Sequence, residues 1–120
     1  MNETPVGHVL LHWDSDTPGE PDAVRALHIP RVEDLWVMPE HRGKGISRYL
    51  MNQVEELARS QGHTQIGLDV AMEDYFARTL YKRRGYKQVG IDEYKLSGVN
   101  TVDGKEYSWQ ENCIFLILNL

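Results

Sequence analysis

An α+β fold, in which helices cover the faces of a mixed sheet, is what this 120-residue chain predicts. Three observations lead there. Extended apolar runs occupy the N-terminal part and the C-terminus. Two helical patterns lie between them, and a strand-like segment separates the two helices. The order of strands, helix, strand, helix and terminal hairpin implies a mixed, mostly antiparallel sheet, an α/β/α sandwich. The length suits one domain, residues 1–120, built around one core.

The elements follow in order. Val6 to Trp13 reads as a buried strand. Ser15 to Asp22, with two prolines and a glycine, reads as a loop, and Ala23 to Leu27 as a short strand or a turn. Arg31 to Met38 is a strand, stopped by Pro39, which has no N–H for the ladder. Gly45 to Gln61 is an amphipathic helix with Ile46, Leu50, Val54, Leu57 and Ala58 on one stripe and Gly62 beyond its end. Thr64 to Ala71 is the next strand. The second helix starts at the N-cap Asp74 and closes at Gly85. Tyr86 to Leu96 and Tyr107 to Asn119 are the last two strands, joined through Gly98 to Glu106 with its Asp103-Gly104 turn signal.

Composition narrows the function. A net charge of −5, from 13 basic and 18 acidic residues, argues against a general nucleic-acid binder. The basic residues cluster all the same, Arg42, Lys44 and Arg48 in one segment and Arg78, Lys82, Arg83 and Arg84 in another. A local basic mouth on an acidic protein suits an anionic cofactor. The single cysteine, Cys113, begins an apolar run and reads as a packed thiol, so no internal disulfide forms. The longest apolar run, Cys113 to Leu118, is too short to span a membrane, and the expected location is the cytoplasm. The five histidines show no metal spacing, and the Asn2-Glu3-Thr4 sequon reads as chance.

The most informative segment runs from Val37 to Leu50. An apolar strand ends at Pro39, an Arg42-Gly43-Lys44-Gly45 turn follows, and a helix begins. Helix N-termini carry unpaired N–H groups and the positive end of the dipole, and glycines let a diphosphate approach them. The spacing is not that of a nucleotide P-loop, since Met38 stands where that motif needs its first glycine. Nor is it a dinucleotide fingerprint, because the third glycine is missing. A second segment, Asp74 to Tyr86, carries Ala77, Leu80, Tyr81, Arg83, Gly85 and Tyr86 at fixed intervals.

These two segments resemble the two signatures of the GNAT-type N-acetyltransferases. Arg42-x-x-Gly45-x-Ser47 is similar to the family's Gln/Arg-x-x-Gly-x-Gly/Ala loop, and the second segment to its Asn-x-x-Ala-x-x-Leu-Tyr-x-Lys/Arg-x-Gly-Phe/Tyr. The resemblance implies a V-shaped slot between the strand ending at Met38 and the next strand. Acetyl-CoA would lie in it, its pantetheine arm against the backbone of Trp36, Val37 and Met38. Its pyrophosphate would sit on the N–H groups from Arg42 through Gly43, Lys44, Gly45 and Ile46 to Ser47. It implies Tyr81 as the acid that protonates the leaving thiolate. Glu33 occupies a position where the family often carries a base; Asp34, its neighbour on the opposite strand face, is the second choice. Asp74 replaces the family's asparagine near the pantetheine and keeps the N-cap role.

The reading is an N-acetyltransferase that moves acetyl from acetyl-CoA directly to a primary amine, of a small molecule or a protein, without a metal, nucleic acid or membrane. The alternative is a non-catalytic acyl-CoA-binding subunit or sensor. Family members usually carry a further strand and two helices before the segment matching Val6 to Trp13, so the domain is expected to be N-terminally shortened. Val6 to Trp13 would then form an exposed edge, and homodimerisation by strand addition is the corresponding expectation.

Overall fold

The computed structural model describes residues 5–14 and 19–120. Its elements are β1 (Gly7–His12), α1 (Asp22–Arg25), β2 (Arg31–Val37), a 3-10 turn at Pro39–His41, α2 (Ile46–Ser60), β3 (Gln65–Ala71), α3 (Tyr75–Arg84), β4 (Lys87–Gln88), β5 (Tyr94–Val102) and β6 (Lys105–Asn119). The sheet order is β1-β2-β3-β6-β4, with β5 also paired to β6. Only β2 and β3 run parallel; the other pairings are antiparallel. The mixed sheet with helices on its faces is thus observed. The sequon and residues 15–18 lie outside the described residues.

Alternation along the strands sends side chains to two cores. Ile66, Leu68 and Val70 of β3, with Ile114 and Leu116 of β6, pack on Met51, Val54 and Ala58 of α2 and Tyr81 of α3. On the other face Phe115 and Ile117 meet Val24 of α1 and Ile29. The two large helices are pinned together by a polar tie. Arg84 of α3 donates twice to Glu55 of α2, at 2.6 and 2.9 Å, and Tyr86 Oη donates to the same carboxylate at 2.8 Å.

Three boundaries differ from the sequence expectation. Ala23 to Leu27 is neither strand nor simple turn: α1 forms because the carbonyl of extended Pro21 accepts from the N–H groups of Val24 and Arg25. The expected strand from Tyr86 to Leu96 is broken after Lys87–Gln88 at Gly90, whose φ is +42°. The hairpin turn is also tighter than Gly98 to Glu106. Asp103 and Gly104 take positive φ angles of 52° and 78°, a two-residue turn that matches strand twist, so β5 runs on to Val102. Gly98 is therefore a strand residue. Its missing side chain is the seat of the Trp109 ring, which a Cβ would meet at 2.6 Å.

Candidate functional site: the slot between β2 and β3

β2 and β3 are joined at a single register pair, Arg31 with Gly67, reinforced by Gly67 N–H donating to Pro30 C=O at 2.9 Å. Beyond it the strands part. The cause lies on β2, where the β1 register slips by one residue between His8 and Leu10 and Asp34 takes φ +53°. Such a bulge bends and twists its strand, here away from β3. A cavity of about 210 Å³ fills the opening. It is lined by Glu33 and Leu35 of β2, Asp69 of β3, Tyr81 of α3, and Glu111 and Cys113 of β6, among others. A larger cavity of about 560 Å³ adjoins it, sharing Ala71 and Glu111 and reaching Asp74.

The edge of β2 offers a limited set of backbone groups. Met38 N–H donates to Val6 C=O at 2.6 Å, and Met38 C=O accepts from His41 N–H. Alternation in an antiparallel ladder then turns the N–H of Val37 away from β1, toward the slot. Val37 C=O accepts Arg42 Nε at 2.9 Å. Of Trp36, Val37 and Met38, Val37 thus keeps a donor directed at the opening, while the Trp36 side chain lies over His8.

The glycine turn stands next to this edge. Gly43 and Gly45 adopt φ of +79° and +80°, and a Cβ at either would meet nothing within 4 Å. They are therefore glycines for conformation rather than for packing. Gly45 is the N-cap of α2 and gives no side-chain cap, and the first helical bond runs from Tyr49 N–H to Gly45 C=O. The N–H groups of Ile46, Ser47 and Arg48 consequently have no acceptor within the helix. A further cavity of about 820 Å³ lies between α2 and α3, bordered by Arg48, Tyr75, Phe76 and Arg83. An open turn, unpaired donors and guanidinium groups fit an anionic group such as a pyrophosphate.

The titratable side chains are set by burial. Tyr81 is 8% exposed, and burial, with Asp74 in support, pushes its phenol up to about 12. Asp74 caps α3, its Oδ1 accepting from Ala77 N–H at 3.0 Å. Glu33 and Asp34 both line the slot, because the bulge at Asp34 breaks the alternation that would have put them on opposite faces; Glu33 also meets His12 Nε2 at 3.1 Å. Cys113 is buried in the slot wall, and burial followed by Asp69 raises its thiol to about 11. It remains an uncharged thiol at neutral pH, a poor nucleophile. Among the described residues no group of three or more His, Cys, Asp or Glu side chains has metal-binding geometry, and no helix is long and apolar enough to cross a membrane.

One group escaped the sequence reading. Glu20, Arg31, Asp69 and Tyr94 meet on the sheet face opposite α2 and α3. Arg31 and Glu20 are 3.8 Å apart with their side chains 1% and 0% exposed. Arg31 also donates to Val24 C=O and lies over the Phe115 ring. Tyr94 Oη donates to Asp69. The one sign of it in the sequence was Asp69, the sole acid of β3, on the strand face where smaller or polar residues alternate with Ile66, Leu68 and Val70.

Comparison with known proteins agrees with this geometry. The pattern of the acetyltransferase (GNAT) family matches residues 1–86, and the chain belongs to that family. It is 37% identical over 67 residues to streptothricin acetyltransferase of Streptomyces lavendulae, covering 56% of this chain and 35% of that protein. It is 31% identical over 99 residues to thialysine N-epsilon-acetyltransferase of Bos taurus, covering 71% and 58%. The ribosomal-protein-alanine N-acetyltransferase structure from Brucella melitensis shares the fold, with a TM-score of 0.64 at 20% identity over 96% of this chain and 62% of that one. The chain thus spans about a third to three-fifths of the length of these relatives.

Proposed function

We propose that this chain transfers acetyl from acetyl-CoA directly to an amine within a ternary complex. The observation that carries the reading is the gap between β2 and β3, which opens between the glycine turn at α2 and the buried Tyr81. Acetyl-CoA threads that gap, held by the N–H groups from Gly43 to Ser47 at its diphosphate and by the Val37 edge along its arm. The Arg42 N–H, expected to join them, is taken by Pro39 C=O at 3.3 Å. The Val37 N–H polarises the thioester carbonyl, and a fixed donor aimed at a developing oxyanion needs no reorganisation during the reaction. Tyr81 stays protonated far above neutral pH, so it acts as an acid toward the departing sulfur and not as a base. Glu33 receives a proton from the attacking nitrogen. The uncharged Cys113 supports direct transfer over an acyl-enzyme.

The relatives' names cover small-molecule amines and a protein amine, so the acceptor is an amine of either kind. Calorimetric titration with acetyl-CoA and with CoA tests the reading. One-to-one binding by the wild type is expected, with loss in Gly45→Trp, whose indole would occupy the open turn. Absence of binding by the folded wild type would overturn the assignment. Binding without turnover of any amine would leave an acyl-CoA sensor or subunit in its place.

A further inference from the structure

The β5–β6 hairpin outruns the rest of the sheet. β3 ends at Ala71, opposite Cys113, whereas β6 reaches back to Lys105 with β5 its only neighbouring strand there among the described residues. Every residue from Val99 to Asn112 is exposed, with Val99, Val102, Tyr107 and Trp109 among them. A lone two-stranded ribbon is marginal in water, and further strands with an apolar face secure it.

One hydrogen bond fixes the direction of the free backbone groups. Met72 N–H donates to Asn112 C=O at 2.7 Å, so Asn112 faces the β3 side of β6. The N–H and C=O of one strand residue point to the same side, and the side reverses at each step. Gln110, Ser108 and Glu106 therefore present both groups on the side that β3 has vacated, an edge with no strand on it among the described residues. Their odd-numbered neighbours turn toward β5. Those neighbours, Lys105, Tyr107, Trp109 and Glu111, share one face of the ribbon, where the Trp109 ring is seated on Gly98.

This edge matches itself. Laid antiparallel about Ser108, two copies of β6 set Lys105 opposite Glu111, Tyr107 opposite Trp109 and Glu106 opposite Gln110, each twice, with Ser108 on the two-fold axis. Opposite charges and aromatic pairs facing each other across strands are favourable, and like charges are not. The outward residues meet as bonded pairs, each exchanging two N–H···O=C bonds. A register centred on Tyr107 would set Lys105 against Trp109. One centred on Trp109 would need the Asn112 carbonyl that Met72 already holds.

We propose that two copies of this chain join β6 to β6 in the Ser108-centred register, making a four-stranded ribbon. Strand addition was expected at β1; the self-complementary sequence lies on β6. The interface is isologous and closes at two copies. It also bears on the slot. The Asp103–Gly104 turn and Lys105 of the second copy come to the end of β3, over the 560 Å³ cavity lined by Glu73, Asp74, Gln110 and Glu111. Each copy thereby covers the other's cavity and brings a cation to its acidic rim.

The test uses the full chain without cofactor. Sedimentation equilibrium at micromolar concentration should give twice the chain mass of 13.9 kDa. Hydrogen exchange should show the amides of Glu106, Ser108 and Gln110 protected in the dimer, a pattern no other edge would produce. Lys105→Glu sets like charges opposite each other and should weaken the dimer about tenfold. The double variant Lys105→Glu/Glu111→Lys should restore it. Ser108→Pro removes only an outward N–H, sparing the β5 ladder, and should abolish the dimer; urea unfolding checks that the variants fold. A monomeric wild type overturns the inference. So does a dimer that tolerates Ser108→Pro and Lys105→Glu alike, since its contact would lie elsewhere. None of these measurements involves acetyl-CoA, so either result leaves the transferase reading standing.

Discussion

At the scale of single residues, Tyr81 shows how placement selects a chemical role. Its side chain lines the slot while the ring packs edge-on against Tyr86, 5.7 Å away. On the proposed reading, Tyr81→Phe keeps that packing and removes only the acid. Turnover should fall by roughly 10²-fold, within the range for general-acid effects, while acetyl-CoA affinity is retained. Steady-state kinetics beside calorimetry check this, and a normal rate would remove Tyr81 from the mechanism. The place of Tyr81 in the slot wall was legible because it sits in a motif with fixed local spacing. That of Glu20 was not: it lies in a loop without periodicity, and its neighbour Asp69 is remote in the chain. Proximity of that kind is a product of topology, which no local pattern encodes.

At the scale of elements, turn chemistry and helical periodicity carried furthest. The bounds of α2 and α3 follow from an apolar stripe, the Asp74 cap and glycines with positive φ at Gly62 and Gly85. The sheet was harder, because pairing partners decide where a strand ends. β5 continues to Val102 only because β6 runs alongside it, and the Gly98 gap accommodates Trp109. Gly67 is the same device inside the core. A Cβ there would meet the Phe115 ring at 2.5 Å and Ile29 at 3.0 Å. Gly67→Ala should therefore destabilise the fold by about 1–3 kcal/mol, as overpacking of a closed core does. Urea unfolding measures it. Because Gly67 is also the one residue that registers β3 on β2, the variant should bind acetyl-CoA more weakly, and unchanged affinity would separate the junction from the slot.

At the scale of the whole molecule, the buried carboxyl makes stability depend on pH. Glu20 is raised above its ordinary value of 4.5 in the folded protein. The native state therefore holds a proton that the unfolded chain has released, and stability falls as pH rises through that window. Tyr81, Tyr86, Tyr94 and Cys113 are also raised, but from ordinary values of 9 or 10, so their effects begin at alkaline pH. Denaturation at pH 5 and at pH 7 should show the wild type losing stability relative to Glu20→Gln, by at most about 1.4 kcal/mol per pH unit. Parallel behaviour of the two proteins would mean that Glu20 ionises normally.

The single register pair between β2 and β3 has a consequence for the stability of the molecule. Beyond Arg31 and Gly67 the chain leaves one place in its own sheet to be taken by something else. On the proposed reading the pantetheine arm takes it, bridging the two halves. The empty form is then the less stable one, and acetyl-CoA, binding only the folded chain, would stabilise it by mass action.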